Sequence, residues 1–137
     1  MFNCATYDLI KKYNKKHKTN FSICAEPDAE KTPSGRGAYS DILICSSDKK
    51  EEYITIEHEN FPKYKLLDIV KKLSNSKARS KLLITYFFDD TPKKQIIKKL
   101  KIYVTKFFRN GEKLHLLIGP YNMGKGNQYQ LEIIHAV

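Results

Sequence analysis

Three carboxylates in a basic chain carry the clearest chemical signal in this sequence. Glu57 and Glu59 close a hydrophobic, strand-like run, and Asp41 begins the strand-like run before it. Acidic residues are scarce, because only 15 of 137 residues are Asp or Glu and the formal net charge is +10. Mg²⁺ is commonly held by one or two carboxylates together with water and phosphate oxygens. The three residues therefore predict a site for a divalent cation.

Strand geometry explains why these three residues belong together. Alternate residues of a strand share a face, so Glu57 and Glu59 point to the same side. A hairpin that pairs Ser46 with Glu52 places Asp41 directly opposite Glu57. Opposed side chains have Cβ atoms about 4.5–5.5 Å apart, where like charges are destabilising unless a cation lies between them. The alternative is an exposed hairpin whose carboxylates face water and nearby lysines.

The hydrophobic periodicity predicts an α/β fold, a mixed β-sheet flanked by helices. Apolar residues at helical spacing predict helices over 1–18, 62–73 and 92–108. Strands are predicted over 20–25, 39–46, 52–59, 81–88, 114–118 and 129–135. The first three strands should form an antiparallel meander, and the step from the third to the fourth should be a right-handed parallel crossover. The continuous apolar run of the fourth is typical of a strand buried on both faces. The length predicts one domain, 1–137.

The carboxylates and the order of elements together resemble the PD-(D/E)XK, or restriction-endonuclease-like, nucleases. The resemblance covers roughly residues 1 to 90, an α-β-β-β-α-β core, with a further helix and a C-terminal hairpin after it. Its motif is Asp41, a gap of 15 residues, then Glu57-x-Glu59. It implies an endonuclease that hydrolyses DNA phosphodiester bonds with Mg²⁺ or Mn²⁺, held by Asp41 and Glu57. Glu59 stands where the family usually has Lys, as in the E-x-E variant of BamHI-like restriction enzymes, and Ser40 replaces the family's Pro.

The resemblance also implies roles that more than one residue can fill. The general-base or water-orienting role falls to Glu59 or to Lys65 on the next helix. Arg36 is a candidate phosphate ligand, against the alternative of a solvated loop arginine. Family members commonly act as dimers, which makes a homodimer a candidate assembly. They often add an upstream acid, for which the candidates are Glu26 and Glu30 in the Pro- and Gly-rich stretch 26–37, and Asp8 on the first helix.

The excess of 25 Lys and Arg predicts a polyanionic partner, and nucleic acid is favoured over a membrane surface. The helix over 92–108 is densely basic, and its candidate phosphate ligands are Lys94, Lys98 and Lys101. Lys125, in a Gly-rich loop between the last two strands, and Lys65, on the second helix, are further candidate phosphate ligands. The alternatives are a solvated helix face and a lysine-rich composition that reflects an AT-rich genome.

Other motifs narrow the function further. The stretch 119–126 nearly matches a phosphate loop, but Gly126 replaces the required hydroxyl and a strand pattern follows, so we predict a hairpin loop. His58 points away from the two glutamates and is predicted to be structural. Three widely spaced cysteines favour reduced thiols and a cytoplasmic location. Two other functions stay open: a non-catalytic nucleic-acid-binding protein of this fold, including a subunit of a larger complex, and a plain interaction domain.

Overall fold

The computed structural model describes residues 2–25, 42–60, 62–89, 91–121 and 129–137. The helices are α1 (Phe2–His17), α2 (Pro62–Asn75) and α3 (Lys93–Phe107). The strands are β1 (Phe21–Ala25), β2 (Ile42–Ser46), β3 (Glu52–Glu59), β4 (Ser80–Phe87), β5 (Lys113–Pro120) and β6 (Gln130–His135). This is the predicted order of elements. The strands form a mixed sheet in the order β1-β2-β3-β4-β5-β6, so the α/β class is confirmed.

The chain divides into two compact units, which are described separately. Unit 1 comprises Met1–Ile56 with Lys77–Arg79, and unit 2 comprises Glu57–Ser76 with Ser80–Val137. In the part of the chain that the structure describes, no helix combines the length and the apolar character needed to cross a membrane.

Unit 1 contains the predicted antiparallel meander, in which β1 pairs with β2 and β2 pairs with β3. Ile42 lies opposite Ile56, which is the register that predicts Asp41 opposite Glu57. The predicted pairing of Ser46 with Glu52 is wrong, because Cys45 faces Glu52 instead. A β-bulge after Ile44 causes this shift, because β3 contributes one extra residue next to the turn that joins β2 and β3.

The side chain of Asn14 fastens α1 to β1 in the same unit. Its Nδ2 donates a hydrogen bond to the carbonyl oxygen of Phe21 at 2.8 Å, and its Oδ1 accepts one from the Phe21 amide at 3.0 Å. The Phe21 ring packs against Tyr13 of α1 and edge-on against Tyr53 of β3. One amide therefore satisfies both backbone groups of the residue that begins β1.

Unit 2 is a sheet with both of its helices on one face. β4 and β5 run parallel, and β5 and β6 run antiparallel. The core lies between this face and the helices and is made of Leu66, Ile69, Val70, Leu73, Leu83, Ile96, Leu100, Val104, Phe108, Leu114, Leu116, Ile118, Ile134 and Ala136. The prediction that β4 is buried on both faces is wrong. Its burial alternates, with Leu83 fully buried and Leu82 and Ile84 half-buried, because both helices pack on the side of Leu83.

Replacing Leu100 by Ala should destabilise the protein by about 2–5 kcal/mol, because it removes apolar atoms and leaves a cavity in a close-packed core. Leu100 is fully buried near the middle of α3. The matched control is Ile102→Ala on the same helix, where the side chain is 56% exposed. Urea denaturation measures both changes, and equal effects of the two substitutions would contradict this packing of α3.

Candidate functional site

Glu57 is a buried acid near the end of β3. The residue is 5% exposed, and its neighbours Thr55 and Ile56 are buried as well. Since successive residues of a strand point to opposite faces, β3 is covered on both sides at this point. Exposure of Glu57 to water, as the exposed-hairpin alternative requires, is therefore wrong. A carboxylate taken out of water in this way needs a compensating charge or hydrogen bonds.

Lys72 supplies a positive charge to this carboxylate. Its Nζ lies 3.0 Å from Oε1 of Glu57, and the exposed fractions of the two side chains are 24% and 6%. Lys72 lies in the last turn of α2, the helix that begins at Pro62 shortly after β3 ends. The pair thus joins a strand to the helix that follows it, within unit 2.

Sequence reasoning missed this lysine and named Lys65 instead. The two lysines are seven residues apart, so they lie on the same flank of α2, about two turns from each other. Lys65 is exposed, whereas Lys72 contacts the buried acid. The seven-residue spacing was the available signal, because any lysine on that flank is a candidate partner for an acid at the end of β3.

Glu59 is half-buried at the end of β3, two residues after Glu57. Its carbonyl oxygen accepts a 2.7 Å hydrogen bond from Oγ1 of Thr85, which ties the end of β3 to β4 within unit 2. Asp8 is exposed on α1. Among the residues that the structure describes, no group of three or more His, Cys, Asp or Glu is placed to hold a metal. Five predicted site residues lie outside the described ranges: Glu26, Glu30, Arg36, Asp41 and Lys125.

His58 lies between the two glutamates in sequence and contacts a tyrosine. This contact is consistent with the prediction that His58 is structural. Its Nε2 is 2.7 Å from Oη of Tyr86, and the two rings meet edge to face with centroids 5.4 Å apart. Burial, followed by the neighbouring Tyr129 and Tyr121, raises the pKa of Tyr86 above its usual value of 10.0. The phenol therefore stays protonated at neutral pH and shares a hydrogen bond with Nε2 of His58.

Three exposed lysines occupy one side of α3. Lys94, Lys98 and Lys101 are all exposed, and their spacing of four and three residues places them on one helix face. We call these three residues the α3 basic face. The opposite side of the helix holds the buried residues Ile96, Leu100 and Val104. The lysines are therefore free of any packing role in the core.

The near-match to a phosphate loop is followed by a strand in the structure, and its residues 122–126 lie outside the described ranges. Gly119 lies inside β5 and pairs with Tyr86 of β4. The next described element is the strand β6, whereas a phosphate loop leads into a helix whose N-terminus faces the phosphate.

Replacing Lys72 by Met should destabilise the protein by about 1–3 kcal/mol, between the effects expected for an exposed pair and a buried one. The physical reason is that Glu57 loses a neighbouring positive charge. Thermal or urea denaturation at neutral pH measures the change.

Two comparisons test whether the ion pair is responsible for this loss. Lys65→Met, on the same flank of α2, should have little effect because Lys65 is exposed. The double variant Glu57→Gln, Lys72→Met should be more stable than Lys72→Met alone, since the buried group is then neutral. If the double variant is no better than the single one, the pair does not govern the charge of Glu57.

Comparison with known proteins supplies no relative of this chain. No protein-family model, no curated protein and no solved structure matches it.

Proposed function

We propose that this protein is a metal-dependent endonuclease with a restriction-endonuclease-like core, which hydrolyses phosphodiester bonds in DNA. The observation that carries the proposal is the burial of Glu57 at the end of β3, where the carboxylate motif predicts a metal ligand. The register of β2 and β3, with Ile42 opposite Ile56, supports the same motif. The positive net charge of +10 favours a polyanionic substrate.

The donor chemistry of the site fits Mg²⁺ or Mn²⁺. Glu57 and Asp41 are the proposed metal ligands, because carboxylate oxygens suit these hard cations. A metal ion held there would polarise the scissile phosphate and lower the pKa of a bound water. We propose that Glu59, which is half-buried on the same face of the strand, orients that water or accepts its proton.

Lys72 is the proposed cationic partner in this site. The resemblance to the nuclease family puts a lysine at position 59, where this chain has an acid. Lys72 brings an ammonium group to within 3.0 Å of the Glu57 carboxylate, and Lys65 is exposed two turns away on the same flank. An ammonium group beside the reacting phosphate would stabilise the negative charge that develops during hydrolysis.

A specific observation favours a second candidate function, which is nucleic-acid binding without catalysis. Lys72 already supplies a counter-charge to Glu57, so the buried acid has a structural explanation that needs no metal. The α3 basic face would then hold the phosphate backbone in a protein of the same fold, acting alone, as a homodimer or as a subunit of a larger complex. We propose a cytoplasmic location for either activity, because the three widely spaced cysteines of the sequence favour reduced thiols.

Replacing Glu57 by Gln should lower metal-dependent cleavage by about 100-fold or more, because the amide is a poor ligand for a hard cation. The assay incubates supercoiled, linear and single-stranded DNA, and RNA, with Mg²⁺ or Mn²⁺. Binding measured in a chelator should be unchanged, since it depends on surface lysines.

Glu52→Gln is the matched control, because it changes an acid at the other end of the same strand. It should cut like the wild type. If the wild type cleaves none of these substrates with either metal while it still binds them, the non-catalytic function replaces the nuclease.

Replacing the α3 basic face by alanines, at Lys94, Lys98 and Lys101, should weaken nucleic-acid binding and make it less sensitive to salt. The salt slope should fall by about one for every phosphate that the variant no longer neutralises. Lys99→Ala with Lys106→Ala is the matched control, since these exposed lysines lie on another side of α3. Fluorescence anisotropy over a salt series measures both proteins. Equal weakening in the two variants would mean that α3 has no dedicated phosphate-binding face.

A further inference from the structure

Four aromatic rings gather at the end of β4 and β5, on residues that are far apart in sequence. Tyr121 and Tyr129 meet Tyr86 edge to face, with centroids 5.9 Å and 6.0 Å away. Phe88 stacks on Tyr121 with centroids 4.6 Å apart and an interplanar angle of 30°. We call Tyr86, Phe88, Tyr121 and Tyr129 the aromatic cluster. All four belong to unit 2.

The cluster lies where parallel strands end together. β4 ends at Phe87 and β5 at Pro120, and these two residues are paired in register. The amide of Tyr121 then donates a 3.1 Å hydrogen bond to the carbonyl oxygen of Phe87, which holds Tyr121 beside the end of β4. The carboxyl ends of parallel strands are the usual location of ligand sites in open α/β sheets.

Gly119 makes room for one of the rings. A Cβ atom at position 119 would lie 2.1 Å from Cδ1 and 2.3 Å from Cε1 of Tyr129, closer than real Cβ contacts allow. The absence of a side chain on Gly119 therefore lets the Tyr129 ring lie directly against the backbone of β5. The glycine in the sequence of β5 thus permits this position of the ring.

The cluster is accessible, unlike the core of the same unit. Tyr121 is 49% exposed, and Tyr86, Phe88 and Tyr129 are half-buried. The buried core of unit 2 consists of other residues, which lie between the sheet and its two helices. Stacked rings that keep contact with solvent can accept a further flat ring, which a buried aromatic core cannot do.

The cluster is also uncharged and lies beside the candidate catalytic strand. A tyrosine phenol is neutral near pH 7, burial raises the pKa of Tyr86 further, and this phenol is hydrogen bonded to His58 at 2.7 Å. His58 is adjacent in sequence to both Glu57 and Glu59 but points to the opposite face of β3. The end of β3 therefore has carboxylates on one face and a neutral aromatic surface on the other.

We propose that the aromatic cluster binds unpaired nucleobases by stacking, with the exposed ring of Tyr121, which is backed by Phe88, as its platform. Aromatic side chains bind bases in this way with little regard to sequence, because every base presents a flat π-face. The inference rests on the proposed function for the class of partner, a nucleic acid. It adds that the substrate contains a single-stranded stretch or end, since bases in an intact duplex are stacked on each other and do not expose these faces.

A single tryptophan tests the stacking directly, because the chain contains no Trp. In Tyr121→Trp, an oligothymidylate of about 16 nucleotides should quench the tryptophan emission. A duplex of the same length should leave it nearly unchanged. The matched control is Tyr7→Trp on α1, since Tyr7 is 48% exposed and belongs to unit 1. Quenching should be confined to position 121, and equal quenching at both positions, equal quenching by duplex, or none at 121 would overturn the proposal.

A binding measurement extends the test to the native aromatic residues. Tyr121→Ala should weaken binding of the single strand by about 5- to 150-fold and leave duplex binding within about twofold. Equal weakening for both forms would assign Tyr121 to general phosphate binding and overturn base stacking. All of these measurements are made in a chelator, without cleavage. Stacking without metal-dependent cleavage would therefore reject the nuclease and keep this binding site. Cleavage without stacking would reject the binding site and keep the nuclease.

Discussion

The ion pair between Glu57 and Lys72 is the interaction on which the candidate site depends. A carboxylate that is 5% exposed stays ionised only if its surroundings replace the water around it. Lys72 does this from 3.0 Å, and it can do so because α2 starts at Pro62, shortly after β3 ends. The short connection keeps the helix close to the strand that precedes it. Two residues after Glu57, the carbonyl oxygen of Glu59 accepts a 2.7 Å hydrogen bond from Oγ1 of Thr85.

Lys81 provides a comparison for this pair, because its charge is more deeply buried than that of Lys72. Its ammonium group lies 3.1 Å from the Glu112 carboxylate and 3.3 Å from the carbonyl oxygen of Ser74, and it sits over the Phe108 ring. Its side chain is 5% exposed, so water has little access to it. Lys72 is 24% exposed, so its ammonium group keeps more contact with solvent than that of Lys81. Moving Lys72 fully into water would leave the buried Glu57 without this counter-charge.

The sequence predicted correctly those features that depend only on the local alternation of side chains along a strand. The alternation of β3 predicted that Glu57 and Glu59 share a face, and the hairpin register holds at Ile42 opposite Ile56. Two features depended on tertiary packing and were not predictable. The bulge after Ile44 depends on the conformation of the turn between β2 and β3. Which lysine pairs with Glu57 depends on which turn of α2 packs against the end of β3, and the structure brings Lys72 there rather than Lys65. In the same way, an apolar run could not show that helices cover only one face of β4.

The aromatic cluster was missed because no sequence period connects its members, which parallel pairing of β4 and β5 brings together. The one local signal was Gly119 inside an apolar strand, a position that favours close approach by another group. In the proposed nuclease, the location of the cluster would also meet two opposing requirements. Phosphate chemistry needs strong charges, whereas stacking needs neutral, weakly hydrated surfaces. Because side chains alternate at residues 57–59, Glu57 and Glu59 lie on one face of β3, whereas His58, which contacts Tyr86 of the cluster, lies on the other.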